Sequence, residues 1–312
     1  MRIDEQTRVA VVGAGAVGGF YGARMVGSGA QVTFLARGRN LEALREKGLT
    51  LRNQGEESRL AVEAASTAEE IGPVDVVLLC VRTLDVAEAS QSLMPLLAPR
   101  TAVLALQNGL DHIGLISEEV GPDRVLVGSV QALAVQLVAP GVVTHYGGEG
   151  EIVFGPFGGG FSERAERLGK LFEQSSIPYR VSEEMKRELW EKLLFIGGVG
   201  GVTALARAPI GPLLESREGW ALLAASCEEI VTVARTEGVD LGSDAVERTL
   251  RFAGTFPSQW RSSMARDLEA GRRLEVDALS GAVIRRAGRQ GIPAPVHRVI
   301  HACLSLHQPE SG

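Results

Sequence analysis

Cysteine is scarce in this chain of 312 residues: only Cys80, Cys227 and Cys303 occur. Their spacing pairs none of them, which excludes a disulfide framework and a cysteine-rich zinc site, and no metal is expected; free thiols in a reducing cytoplasm are. Basic runs are missing too. With a net charge of −6 and a pI near 5.6, nothing in the chain is dense enough in Lys or Arg to coat a phosphate backbone, so no nucleic-acid partner is expected. No apolar stretch of about 18 residues free of charge and turn signals stands out, so no membrane partner is expected either. The opening MRIDEQTRVAVVG carries acids and runs straight into a strand, unlike a signal peptide. Tyr-x-x-x-Lys is absent, which removes the short-chain dehydrogenase pair.

Glycine is what the chain has in excess: 38 residues, against roughly 7% in average usage. The first cluster is Gly13-Ala14-Gly15-Ala16-Val17-Gly18, directly after the apolar β-branched run RVAVV. Strand, then GxGxxG, then a helical stretch over 16–28 is the context of a dinucleotide-binding turn. Gly13 would allow the tight turn, Gly15 the approach of a pyrophosphate, and Gly18 close helix–strand packing. The helix terminus adds unpaired N–H groups and a positive dipole end. A tight βα turn without ligand is the bland alternative.

Further strands are expected at 31–36, 74–81, 101–106 and 124–130, with helices between them, which implies a mostly parallel sheet. Residues 142–154 read as a hairpin around Gly-Gly-Glu-Gly, 162–175 as a helix and 178–181 as a last short strand. Beyond about 183 the strand signal vanishes, and helical periodicity runs through 184–206, 217–237, 243–253, 275–290 and 295–307. The expected fold is α/β: a mostly parallel sheet with an added antiparallel hairpin over residues 1–183, then an all-helical domain over 184–312. A homodimer through the helical part is one arrangement this allows.

An NAD site usually ends its second strand with an acid that binds the ribose 2′-OH. Here that strand runs into Ala36-Arg37-Gly38-Arg39, with no acid. A guanidinium at Arg37 suits a 2′-phosphate, and Arg82 could add charge nearby, so NADP(H) is the expected cofactor. Solvated loop arginines are the alternative.

Three more places carry chemistry. Asn108, in Gln107-Asn108-Gly109 behind the strand TAVLAL, lies at the carboxyl edge of the sheet, where its amide could meet substrate or nicotinamide; Asn-Gly is also a favoured turn pair. Lys192 sits in the apolar stretch ELWEKLLF, where lysine is unusual. It could polarise a carbonyl and protonate the alkoxide, or simply snorkel to solvent. In an α-helix Ile196 and Gly200 would share its face, and four glycines between 197 and 201 imply a close approach by a ligand or another helix. Glu275 begins a helix, where an acid is ordinary dipole compensation and by itself carries no functional reading. His112, His145, Cys80, Trp220 and Trp260 read as structural or packing residues.

Taken in order, GAGAVGGFYGARM, FLARGRNLEALREKGLTL, VVLLCVRTLD, LALQNGL, VVTHYGGEGEIVFGP, ELWEKLLF, SSMARDLEAGRRLEVDALSGAV and GIPAPVHRVI resemble the ketopantoate reductase (2-dehydropantoate 2-reductase) family over nearly the whole chain. The resemblance implies a Rossmann-type domain binding NADPH, a helical domain closing over a small 2-oxo acid, and reduction to the 2-hydroxy acid. It implies Lys192 as the acid at the keto oxygen, Glu275 beside it, Asn108 in the same site, and Ser263 at the substrate carboxylate. Asn108 and Glu275 are implied on the cofactor side as well, with Arg37 and Arg82 near the 2′-phosphate, although Arg82 stands where lysine is usual. Ile196 and Gly200 stand where the family commonly has asparagines facing substrate. A more apolar 2-oxo acid is therefore one alternative, and a non-catalytic NADP(H)-binding regulator another.

Overall fold

The chain's β-branched runs become strands, and the computed structural model describes residues 7–53 and 55–308. The opening segment 1–6, read above as leading into a strand, lies outside them. The described residues fall into two compact units: those up to 107 with 112–185, and 108–111 with 186–308.

The first unit contains strands β1 (Arg8–Val12), β2 (Gln31–Leu35), β3 (Leu49–Asn53), β4 (Glu56–Leu60), β5 (Glu63–Ala65), β6 (Val74–Leu79), β7 (Leu97–Ala105), β8 (Val125–Gln131), β9 (Ala134–Ala139), β10 (Val142–Gly147), β11 (Glu151–Gly155) and β12 (Tyr179–Val181). Its helices are α1 (Ala16–Gly27), α2 (Gly38–Lys47), α3 (Ala68–Ile71), α4 (Val86–Gln91), α5 (His112–Val120) and α6 (Glu163–Gln174). The large sheet runs β12-β11-β8-β7-β6-β1-β2-β5. Only β8–β11 is antiparallel among its neighbouring pairs. From β5 to β8 this is the doubly wound order of dinucleotide-binding folds, with its reversal between β1 and β6.

A second sheet, β4-β3-β10-β9, corrects the hairpin expectation. Residues 142–147 and 151–155 are both strands, but they lie in different sheets. β10 instead makes an antiparallel hairpin with β9, turned by Pro140-Gly141 with Gly141 at φ +71°. Gly147, Gly148 and Gly150 all have positive φ and carry the chain from one sheet to the other, a route open chiefly to glycine. Helix α1 lies between the sheets. A Cβ on Gly22 would meet the Phe34 ring at 2.5 Å, and one on Gly19 would meet Val143 at 2.7 Å.

The second unit is helical: α7 (Met185–Leu193), α8 (Gly200–Ala206), α9 (Ile210–Glu215), α10 (Arg217–Thr236), α11 (Ala245–Ala253), α12 (Ser263–Glu269), α13 (Ala282–Arg289) and α14 (Pro295–Ser305), with π-helical turns at Leu194–Val199 and Asp277–Gly281. Met185–Ala206 is thus one continuous run of 22 residues. Contrary to the sequence expectation, it is long and apolar enough to cross a bilayer, but 67% of its most apolar window is buried inside the protein. Ser216 caps α10 by accepting from Gly219 N at 2.8 Å, and Leu223, Cys227, Ile230 and Ala234 form the buried stripe. His297 is fully buried between Ser280 Oγ (3.1 Å) and Ser226 O (3.1 Å), and burial lowers its pKa to about 4, which keeps it neutral.

The glycines at 197–201 serve this packing. A Cβ on Gly198 would meet Cys227 Sγ at 2.8 Å, and one on Gly201 would meet Ile300 at 3.3 Å. Gly288, exposed on α13, has nothing within 4 Å of its missing Cβ. Gly198→Val should therefore lower unfolding stability by about 1–3 kcal/mol, whereas Gly288→Ala should raise it by about 0.5–1 kcal/mol. Denaturant melts of the two variants check this, and equal losses would contradict it.

Candidate active site

β1 hands the chain to α1 through Val12-Gly13-Ala14-Gly15, and each glycine answers a different constraint. Gly13 has φ +99°, and a Cβ there would sit 2.7 Å from Val81 N. A Cβ on Gly18 would run into the Gly13 carbonyl and lie 2.9 Å from Val11. Gly15 meets nothing within 4 Å, so the space over the turn is open to an incoming group. The first turn of α1 has no capping side chain and no acid. Backbone donors and the positive dipole end thus face an open approach, which fits a phosphate.

An open cleft of the first unit runs from this turn past Leu35, Ala36, Arg37, Asn40 and Glu88. Two of these residues were missed from the sequence. Asn40 Nδ2 donates to Ala14 O at 2.8 Å while its Oδ1 accepts from Gly141 N at 2.8 Å, tying the turn to the β9–β10 hairpin. Glu88, on α4, holds Arg37 in an exposed ion pair at 2.6 Å. An acid thus reaches Arg37 from another element, which strand-end inspection cannot reveal. Arg82 lies 3.7 Å from Asp85 in a second exposed pair. Cys80 packs beneath the turn, where burial pushes its thiol well up. His145 bridges Asn53 Oδ1 (2.9 Å) and Gly148 O (2.8 Å), in a structural position.

The second unit gathers a different set. Lys192 is the next-to-last residue of α7, two residues ahead of the first π turn's Leu194, and Glu275 precedes the second π turn by two residues as well. Such turns recur at functional sites because the widened backbone displaces side chains from the helical register. Lys192 is partly buried, and loss of solvation lowers its pKa to about 8, with the Glu275 carboxylate opposing part of that shift. Asn108 Nδ2 donates to Glu275 Oε2 at 3.1 Å. Residues 108–111 are fastened to this unit by Gly109 and Asp111. Gly109 has φ +87°, and a Cβ there would meet Ala278 O at 2.6 Å. Asp111 pairs with Arg285 at 2.7 Å and with Arg286. Partial burial works against the Asp111 charge, but these two arginines outweigh it and hold the carboxyl below its usual range.

The expected Lys192–Ile196–Gly200 face needs correction. The π turn breaks the i, i+4, i+8 alignment. Ile196 stays partly exposed, but Gly200 is buried, with Ser262 Cβ 3.5 Å from where its own Cβ would be. Its carbonyl accepts from Ser262 Oγ (3.1 Å) and Thr203 Oγ1 (2.9 Å), so Gly200 packs α8 rather than facing a ligand. Ser263 is the exposed first residue of α12, directly after the Ser262 cap.

Two family models cover most of the chain: ketopantoate reductase PanE/ApbA over residues 9–159, and its C-terminal model over residues 184–308. The chain belongs to the ketopantoate reductase family. A 2-dehydropantoate 2-reductase of Halobacterium salinarum is 34% identical over 303 residues, covering 96% of this chain and 99% of that one. The uncharacterized oxidoreductase YkpB of Bacillus subtilis is 30% identical over 300 residues, covering 96% and 98%. A crystal structure of a PanE/ApbA family ketopantoate reductase from Ralstonia eutropha JMP134 superposes with a TM-score of 0.88 at 33% identity, over 96% of this chain and 98% of that one. The protein is thus an oxidoreductase acting on a small molecule, and its fold is that of ketopantoate reductases.

The two glycines of the turn separate folding from ligand approach. Gly13→Ala should lose about 1–3 kcal/mol of stability through backbone strain, while Gly15→Ala should stay within about 0.5 kcal/mol of the parent. Thermal melts decide this, and a comparable loss at Gly15 would contradict the open approach described above.

Proposed function

We propose that this protein reduces a small 2-oxo acid to the corresponding 2-hydroxy acid with NADPH, with 2-dehydropantoate as the reference substrate implied by its family. The observation that carries the reading is the Lys192–Glu275–Asn108 set: a desolvated ammonium, an acid beside it, and an amide holding that acid.

Residues 1–183 are assigned to the cofactor and 184–312 to the substrate. The open approach over Gly15 and the unacidic start of α1 suit a pyrophosphate, and Arg37 suits an adenosine 2′-phosphate. Glu88 already occupies one face of Arg37, so the phosphate has to share or displace that contact. When bound, the nicotinamide supplies the hydride. The chain's own residues manage the proton. Lys192 Nζ donates a hydrogen bond to the keto oxygen and gives up its proton as negative charge gathers there. A pKa near 8 suits this work, because the amine is mostly charged at neutral pH yet releases its proton more readily than a solvated lysine. Glu275 favours the charged form and keeps it beside the reacting oxygen. Asn108 orients Glu275. Ser263, exposed at the start of α12, would bind the substrate carboxylate.

Ile196 favours a second reading, a more apolar 2-oxo acid. An alkyl group stands there in place of an amide, and a substrate hydroxyl left unpaired against it costs about 1–3 kcal/mol.

Lys192→Ala should lower kcat/KM for the preferred 2-oxo acid by about 10²–10⁴ while leaving NADPH binding intact. Arg37→Ala should weaken NADPH roughly tenfold or more, through loss of hydrogen bonds to a charged group, and leave NADH unchanged. Initial-rate kinetics and cofactor titration measure both. Full activity in the first variant, or an unchanged NADPH/NADH ratio in the second, would refute the corresponding role.

A further inference from the structure

Aromatic residues are only 5% of this chain, and Phe20, Phe34, Phe154, Phe172 and Trp190 lie in cores, each at most 2% exposed. Four others gather in the helical unit without being buried. The Phe195 ring lies 5.6 Å from that of Phe256, nearly parallel to it, 5.6 Å from Trp260 and 5.1 Å from Phe252. Phe256 and Trp260 are 4.8 Å apart. Phe252 is 52% exposed, and the other three are partly exposed. A contiguous aromatic surface of this kind marks a contact site more often than a core.

Its place in the chain says what it meets. Phe195 follows Lys192 by three residues, one helical turn on and into the π turn, and Trp260 precedes Ser263 by three. The wall therefore begins three residues after the proposed proton donor and ends three residues before the proposed carboxylate site, with Ile196 next in the chain to Phe195. It is also held in place. Ile210 N donates to Trp260 O at 3.0 Å, Gly211 N donates to Ser258 O at 2.9 Å, and a side chain at Gly211 would collide with Ser258. Ser262 fastens the same segment to Gly200 O. A rigid apolar wall beside a keto group selects the substituent on the keto carbon, because preorganised packing surfaces lose little entropy on binding.

Resting on the reductase reading above, we infer that the preferred substrate is a 2-oxo acid bearing an aromatic side chain, and that Phe195 and Trp260 are the specificity-determining residues. This reassigns Trp260, which the sequence suggested only packs.

The test is initial-rate kinetics with NADPH on phenylpyruvate, phenylglyoxylate, 2-dehydropantoate and 2-oxobutanoate, together with sedimentation of each variant. An aromatic acid is expected to exceed 2-dehydropantoate in kcat/KM by at least about tenfold. Trp260→Ala and Phe195→Ala should each remove most of that margin, lowering kcat/KM for the aromatic acid by at least about tenfold more than for 2-oxobutanoate. Trp260→Phe, the variant safest for folding, should retain most of the preference. Preference for 2-dehydropantoate, or an equal fall on all four acids in the alanine variants, would overturn the inference and leave the reductase reading standing. Turnover of none of the acids by the parent protein would overturn both. A dimer lost in Trp260→Ala with the acid preference unchanged would assign the wall to self-association instead.

Discussion

A lysine ammonium withdrawn from water beside a carboxylate is the constraint around which the helical unit is arranged. Desolvation disfavours the charge on Lys192, and Glu275 restores part of it. Neither effect is useful unless the pair is held in position. The Asn108 amide bonds Glu275, and residues 108–111 are in turn pinned through Gly109 against Ala278 and Asp111 against Arg285 and Arg286. Both members of the pair stand at the edge of a π turn, where the helix departs from its usual register.

Glycine does the complementary work on the backbone side. In the first unit it lets a strand turn sharply into a helix and leaves the approach to that helix open. In the second unit it lets helices pack at close range behind the lysine. The same residue type thus answers two unrelated demands: Gly15 leaves space open, whereas Gly198 and Gly201 fill it with a neighbour.

Much of this was legible in the sequence wherever local chemistry decides local structure. RVAVV followed by GxGxxG announced the first strand, turn and helix, and the loss of β-branched runs after about residue 183 announced the helical half. The parts that were not legible depend on distant partners. Residues 142–154 alternate like a hairpin, yet their two strands pair in different sheets, because three positive-φ glycines redirect the chain and Pro140-Gly141 makes the actual hairpin. The face of Lys192 was read with α-helical spacing, but a π turn over Leu194–Val199 intervenes before Gly200. Glu88 and Asn40 reach the cleft over the Gly13–Gly15 turn from elements with no motif of their own. The aromatic wall draws Phe195 together with Phe252, Phe256 and Trp260 across more than 50 residues of chain, beyond the reach of any periodicity.

The central claim, that Lys192 is the proton donor and is tuned by burial against Glu275, is tested most directly by the pH dependence of kcat/KM in the parent and in Glu275→Gln. A proton donor works only while protonated, so activity should be full below the lysine pKa and fall as pH rises through about 8. Removing the carboxylate charge that supports the ammonium should move that falling limb to lower pH. A limb near the ordinary lysine value of 10.5, or one that Glu275→Gln leaves in place, would contradict the account.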